Sequence, residues 1–403
     1  MKARFVRVSW VAVALVILSA CGASRGSDPP QSLRTTQSSK STSTRDAKLD
    51  GLLVQQRRVL SASKYRFVSS LVKTDESVLT TIRRQAFSDG TWQPRSPTWQ
   101  TPLELGYVAA LVARETGLVR FSQLATLTVN TAIRKHQIQD GAFAGDSPGY
   151  LPNQPSQFAT GSALVSIGTA YLELEPDLSE QQRGRWRSSL QRAGMWLARD
   201  IHFYVNGNVN LQGALGLYLA WRATGDKQLM AAYNSAWEFA LHPGRGYPGR
   251  GLVYTRRPTG DDGLNGAAYL TEQAQGAPGF DPHYTILQAD YVAELVAVSH
   301  APRALKLLNL LVNQLFTRIN HRNLFIQTGG GSRDPKPSQN AFISASLPIL
   351  AYELRPDLLT FVPKQEATAG AYFRNWAKTG LNEDQIVGNY SASLLAFQSI
   401  GRG

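Results

Sequence analysis

From residue 49 onward, apolar residues recur at helical spacing in segment after segment, and alternating strand-like patterns are scarce. That period commits the chain to an all-α fold. The segments form two interleaved sets. The first set starts near Thr101, Ser156, Val209, Pro282, Asn340 and Asn389 and ends near Glu115, Glu173, Ala223, Ser299, Leu354 and Ile400. The second set covers roughly 77–87, 120–137, 179–200, 227–241, 302–319 and 364–378, and an extra amphipathic helix is predicted at about 48–72. The first set is apolar nearly all round, as from Leu211 to Ala220, and its small residues allow close helix approach. The second carries the charge, as from Glu180 to Arg187. An all-apolar helix must be enclosed by others, whereas an amphipathic one can face water. The pattern therefore predicts an inner ring of apolar helices inside an outer ring of amphipathic ones.

The connections support this reading. Links leaving the first set are mostly short, such as 223–226 and 299–302, whereas links entering it are long and rich in Gly, Asn, Asp, Pro and aromatics: 87–101, 138–156, 201–209, 242–282, 320–340 and 379–389. Internal echoes point to a repeat. Tyr171 to Leu178 resembles Tyr352 to Leu358, and Asp89-Gly90-Thr91-Trp92 resembles Asp140-Gly141-Ala142-Phe143, each shortly after a Gln (Gln85, Gln137). Six helical hairpins with Asp-Gly-x-aromatic turns resemble the (α/α)6 toroid of the six-hairpin glycosidase-like superfamily, which includes polysaccharide lyases. The resemblance covers about residues 75–403. It implies carbohydrate chemistry in a cleft where the long loops enter the inner helices.

The N-terminus gives an address. Lys2, Arg4 and Arg7 precede a short apolar run from Val8 to Leu18, followed by Leu18-Ser19-Ala20-Cys21. A basic segment, a short apolar run and small residues make a secretory signal, too short for a comfortable membrane span. The ending resembles the bacterial lipobox, in which the Cys is diacylated. The single Cys of the chain is Cys21, so lipidation falls on it. Gly22 to about Arg45 is rich in Ser, Thr, Pro and Gly and reads as a flexible tether. The expected organisation is a signal peptide at 1–20, a lipidated tether at 21–47 and the toroid at 48–403, with the domain held at the cell membrane outside the cytoplasm.

Several function classes are excluded. A single Cys forms neither an internal disulfide nor a Cys-based zinc site, which removes the zinc and thioester chemistries of some other toroids. No zinc-protease helix, phosphate loop or dinucleotide fingerprint occurs. Gly329-Gly330-Gly331-Ser332 lacks the Lys of a phosphate loop and reads as a flexible turn. Asp261 to Gly266 resembles part of a calcium loop without its bidentate Glu. No metal and no cofactor is expected. The formal charge of +13 falls to +10 once Lys2, Arg4 and Arg7 leave with the signal. A mildly basic domain suits an anionic polymer or a membrane surface, while no basic-aromatic motif suggests nucleic acid.

The candidate site residues lie in the long loops. Glu272 is followed by Asp281, His283 and Tyr284 at the start of an inner helix. His or Tyr can remove the proton α to a uronate carboxylate, and Tyr can protonate the leaving oxygen. Asp281 also suits an N-cap, with Pro282 at the first helical position. Asn208, Asn210 and Gln212 can bind sugar hydroxyls or neutralise a uronate carboxylate, or they serve Asx turns and a cap. Trp92 and Trp99 can stack on sugars and Arg333 can grip a carboxylate, although Trp92 and Phe143 also suit plugs of their helix pairs. Thr101 to Glu104 reads as a capping box. The remaining histidines show no metal-ligand spacing.

The expectation is a carbohydrate-active protein acting on a polysaccharide, anionic if the charge is a guide, by lyase-type β-elimination. Two alternatives stay open. One is a glycoside hydrolase using two of Glu104, Asp140, Asp262, Glu272 and Asp281, and the other is a non-catalytic glycan-binding or scaffold lipoprotein.

Overall fold

In a computed structural model of the chain, residues 100–145, 154–199, 206–244, 247, 249–259, 263–273, 277–320, 325–333, 340–342 and 346–361 are described. All belong to one compact unit, Phe67–Gly403. Cys21, Trp92, Trp99, Asp262 and the segments expected at 48–72, 77–87, 364–378 and 389–400 lie outside the described residues.

Nine α-helices are described: α1 (Gln100–Thr116), α2 (Val119–His136), α3 (Gln157–Leu174), α4 (Glu180–Ala198), α5 (Gly207–Thr224), α6 (Lys227–Leu241), α7 (Pro282–Ser299), α8 (Pro302–Phe316) and α9 (Ser346–Glu353). Odd-numbered helices pack on one another in succession, and α1, α3, α5 and α7 each pair with the even-numbered helix that follows. The odd set is nearly continuous core: α3 and α7 bury residues on every side. The even set buries one stripe, such as Phe121, Leu124, Ala125, Thr128 and Val129 in α2. Inner and outer helices thus separate as their polarity requires.

Local chemistry sets the boundaries. Ser156 caps α3 by accepting from the Ala159 amide at 3.2 Å. Ser179 and Gln182 form a reciprocal capping box on α4. Helix α5 stops at Gly225, whose φ of +73° is open to glycine at little cost. Asp140 holds its turn through the Ala142 amide, and Phe143 is fully buried among the helices.

One boundary differs from expectation. The segment predicted as helical from Asn340 starts as strand β4 (Asn340–Phe342), antiparallel to β3 (Phe325–Gln327), and α9 begins only at Ser346. Pro348 explains the delay, since it is tolerated in the first turn, where its missing N–H is not needed, but not in a helix interior. Helix α1 runs Gln100–Thr116, close to the expected start near Thr101.

The long 242–282 link contains a second antiparallel ribbon, β1 (Leu252–Arg256) with β2 (Ala267–Leu270), with a register shift between Tyr254 and Arg256. Strand β2 packs on α8 and α7. Its end docks on the first residue of α5. A Cβ on Gly207 would stand 2.3 Å from the Leu270 Cβ, so only glycine allows this approach. Among the described residues no helix is long and apolar enough to cross a membrane.

Candidate functional site

Helices α5 and α7 start at the end where the long loops enter. Glu272, two residues beyond β2, lies between these starts and is fully buried. Its Oε1 accepts from the Asn208 backbone amide at 2.7 Å and from Gln288 Nε2 at 2.8 Å. Its Oε2 accepts from Arg333 Nη1 at 3.1 Å. The surrounding backbone is equally fixed. Glu272 and Gly279 exchange two backbone bonds, and Ser332 Oγ donates to the Glu272 carbonyl at 2.7 Å. Gln288 also brackets Leu270, accepting from its amide at 3.1 Å and donating to its carbonyl at 2.9 Å.

Asp281 is fully buried as well and does two jobs. Its Oδ1 accepts from the Tyr284 amide at 3.1 Å, capping α7, and its Oδ2 accepts from the Arg333 amide at 2.8 Å. The turn carrying Arg333 passes so close that a Cβ on Gly331 would lie 2.2 Å from Asp281 Oδ2. The glycine run therefore makes a close-fitting turn against Asp281 and not a loose one.

Arg333 is the convergence point. Its Nη1 reaches Glu272 and also donates to Asn208 Oδ1 at 3.2 Å. Its guanidinium carbon stands 3.8 Å from the centre of the Tyr284 ring, close enough for a cation–π contact. The His283 ring meets Tyr284 edge-on at 5.3 Å. The Arg333 side chain is 25% exposed, and among the described residues Nε and Nη2 have no hydrogen-bond acceptor. A guanidinium with its ring face stacked and one edge tied back is preorganised to receive a carboxylate on the other edge.

Electrostatics separates the roles. Burial pushes the Glu272 carboxyl up to about 7, against the pull of Arg333 and its hydrogen-bond donors. Its oxygens are spoken for and shielded from solvent, so Glu272 orients Arg333 and Asn208 and is poorly placed to meet a substrate itself.

Asn208, Glu272, Asp281, His283, Tyr284 and Arg333 thus come together. Gln212 lies one turn further along α5 and donates from Nε2 to the Tyr291 hydroxyl at 2.9 Å. Asn210 faces elsewhere, lining a shallow cleft with Pro243, Tyr247 and Thr271. Asp140 is occupied in its turn. Among the described residues no group of His, Cys, Asp and Glu is arranged to hold a metal ion.

Sequence reasoning missed two features. Gln288 was hidden because it reads as an ordinary polar residue of α7. The second is an acidic group on the inner helices: Asp290 and Glu294 are buried on α7, and Glu104 of α1 acts on both Glu294 and Tyr291. Its signal was available, because two carboxylates at i, i+4 inside an otherwise apolar helix demand an explanation. Burial, then the neighbouring Asp290 charge, pushes Glu294 up to about 8, while Tyr107 beside it pulls the other way. Burial and the same acids raise the Tyr291 hydroxyl.

No family model and no curated protein sequence matches the chain. Among solved structures, D-mannose isomerase matches with a TM-score of 0.51 at 12% identity, over 84% of this chain and 97% of that one. The chain is an (α/α)6 toroid. At that identity the likeness is one of fold. A point mutant of unsaturated glucuronyl hydrolase from Streptococcus agalactiae matches at TM-score 0.49 and 9% identity, over 83% of this chain and 91% of that one. The GH76A α-1,6-mannanase from Salegentibacter matches at 0.41 and 11%, over 74% and 99%.

Proposed function

We propose that this toroid processes carbohydrate, and that its site acts on an anionic glycan by β-elimination while the chain is held to the cell membrane through a lipid on Cys21. A fold shared with D-mannose isomerase suits a sugar-processing role. The single observation that carries the finer reading is the convergence of Arg333, Asn208 and Tyr284 at the loop end of α5 and α7. Arg333 and Asn208 would hold the uronate carboxylate and stabilise the enolate that forms when the α proton leaves. His283 or Tyr284 would take that proton. Its electron pair becomes the new C=C bond and expels the glycosidic oxygen, which leaves protonated by the other residue of the pair. The products are an unsaturated uronate and a free sugar hydroxyl. The burial of Glu272 and Asp281, each already engaged, speaks against this pair as hydrolytic carboxylates.

One observation favours the glycoside-hydrolase alternative. Glu104 and Asp290 act on Glu294, whose carboxyl is raised to about 8 by burial and then by the neighbouring Asp290 charge, as a general acid would need. The purified protein incubated with uronate polymers and with neutral polysaccharides separates the two. Ultraviolet absorbance of an unsaturated uronate that disappears in Tyr284→Phe or His283→Ala supports elimination. New reducing ends without that absorbance overturn it in favour of hydrolysis, and neither signal on any polymer favours the binding role. Release of the protein from membranes by Cys21→Ser tests the anchor; unchanged membrane association would refute it.

A further inference from the structure

The hydrogen bonds of Glu272 show where it could take a proton. A carboxylate oxygen offers two lone pairs. Oε1 fills both, with the Asn208 amide at 2.7 Å and Gln288 Nε2 at 2.8 Å. Oε2 fills one, with Arg333 Nη1 at 3.1 Å. Gln288 cannot turn away from Oε1, because its amide also accepts from the Leu270 amide and donates to the Leu270 carbonyl, and a flip would break all three bonds. The fold therefore reserves Oε2 for a proton and sets that oxygen against the guanidinium.

The charges around it give the proton a role. On the elements packed about Glu272, the charged and titratable side chains are Arg333 on the glycine-rich turn, Asp281, His283 and Tyr284 at the start of α7, and Arg250, whose amide bonds Thr271 beside Glu272. The start of α5 brings only neutral groups. Asp281 already accepts two backbone amides. Glu272 and Arg333 thus form an ion pair with its acid end buried and its cationic end 25% exposed. An anion on the free edge of Arg333 makes one guanidinium serve two carboxylates, one of them out of reach of water. That conflict is costly at low dielectric, and protonating the buried carboxylate removes it. Burial already brings Glu272 up to about 7 against the pull of Arg333, and sharing Arg333 weakens that pull.

We propose that Glu272 is the positioning residue of a proton-coupled anion site, in which a sugar carboxylate binds to Arg333 while Oε2 of Glu272 takes up one proton from solvent. The inference rests on reading Arg333 as the carboxylate-binding group, and it adds that the anion arrives with a proton, so the site gains no net charge. The sign follows. Below about 7 Glu272 carries the proton before the ligand arrives, and affinity is level. Above that value the proton must be taken up, and affinity falls as pH rises, by up to about tenfold per pH unit. An uncoupled Arg333 site would stay level throughout, since glucuronate remains ionised and the guanidinium charged.

The test is calorimetric titration of glucuronate into the full chain purified in detergent, in buffers of differing ionisation enthalpy, which counts the protons bound. Uptake is expected to rise from near zero at about pH 6 toward one proton per glucuronate at about pH 8.5. Glu272→Gln is expected to abolish the uptake and level the affinity. His283→Gln separates the other group that titrates in this range, and uptake should persist in it. A second measurement needs no variant: with carbon-13 glutamate in the unaltered protein, glucuronate should bring up the infrared stretch of a protonated glutamate carboxyl at about pH 8. Binding without uptake, or uptake that survives Glu272→Gln and disappears in His283→Gln, overturns the coupling and leaves the anionic reading standing. Glucuronate that binds at no pH overturns both.

Discussion

The guanidinium of Arg333 lies 3.8 Å from the ring centre of Tyr284, although the two are far apart in the sequence, and Asp281 fixes both through their backbone amides. One buried carboxylate thereby sets the helix start and the turn that together make the site. Its removal should be felt twice. Asp281→Ala is expected to lose an N-cap, about 1–2 kcal/mol, and to strand the Arg333 amide, about 1–3 kcal/mol more. Denaturant melts measure the sum. Asp281→Asn keeps the cap and should cost clearly less.

Arg333→Lys keeps a positive charge but gives up the planar fork and much of the stacking on Tyr284. Affinity for an anionic glycan should fall about tenfold or more, with little change for a neutral one. Titration calorimetry with both ligands checks this. Equal loss for the two would mean that Arg333 serves the fold and not the carboxylate.

Gly331→Ala should be severe, because the added Cβ would fall 2.2 Å from Asp281 Oδ2, and neither the buried cap nor the turn has room to give. Gly225→Ala offers the control. Its φ of +73° is strained for alanine, but nothing lies within 4 Å of the added carbon, so the cost should be about 1 kcal/mol with binding intact. Thermal melts and glycan binding on both variants test the contrast.

Glu272 and Glu294 are both raised in the folded protein, to about 7 and about 8. The folded state therefore binds more protons than the unfolded one between the ordinary carboxylate range and those values. The stabilising contribution is fully present below that range and is lost as pH rises through 7 and then 8, by up to about 1.4 kcal/mol per pH unit for each group. Melting temperature should fall across this window. Glu294→Gln should flatten the upper part of the slope, and a slope unchanged in that variant would assign the titration elsewhere.

Much of the frame was legible. The even helices begin and end within a few residues of their apolar stripes, because a surface helix writes its buried face into the sequence at a fixed period. Asp281 and Pro282 announced the start of α7 by local chemistry alone. The two small sheets were not legible. Strands of three to five residues inside Gly- and Asn-rich links carry too little alternation to be seen, and only pairing across the link defines them. Asn340 was misplaced into a helix for that reason.

The candidate site divides in the same way. Sequence placed Asn208, Glu272, Asp281, His283, Tyr284 and Arg333 in the loops entering the inner helices, since function-bearing polar residues have few other places in so apolar a ring. Which of them touch was decided by the tertiary structure. Glu272 meets Asn208 across 64 positions and Arg333 across 61, and only packing of β2 against the start of α5 brings those loops to one point. The inner-helix acids were the reverse case: Asp290 and Glu294 stood plainly in the sequence, but the influence of Glu104 on Glu294 arises only in the folded chain. Periodicity and capping are local and are fixed by neighbours along the chain. The charge environment of a buried group is fixed by neighbours in space, and only the folded chain supplies them.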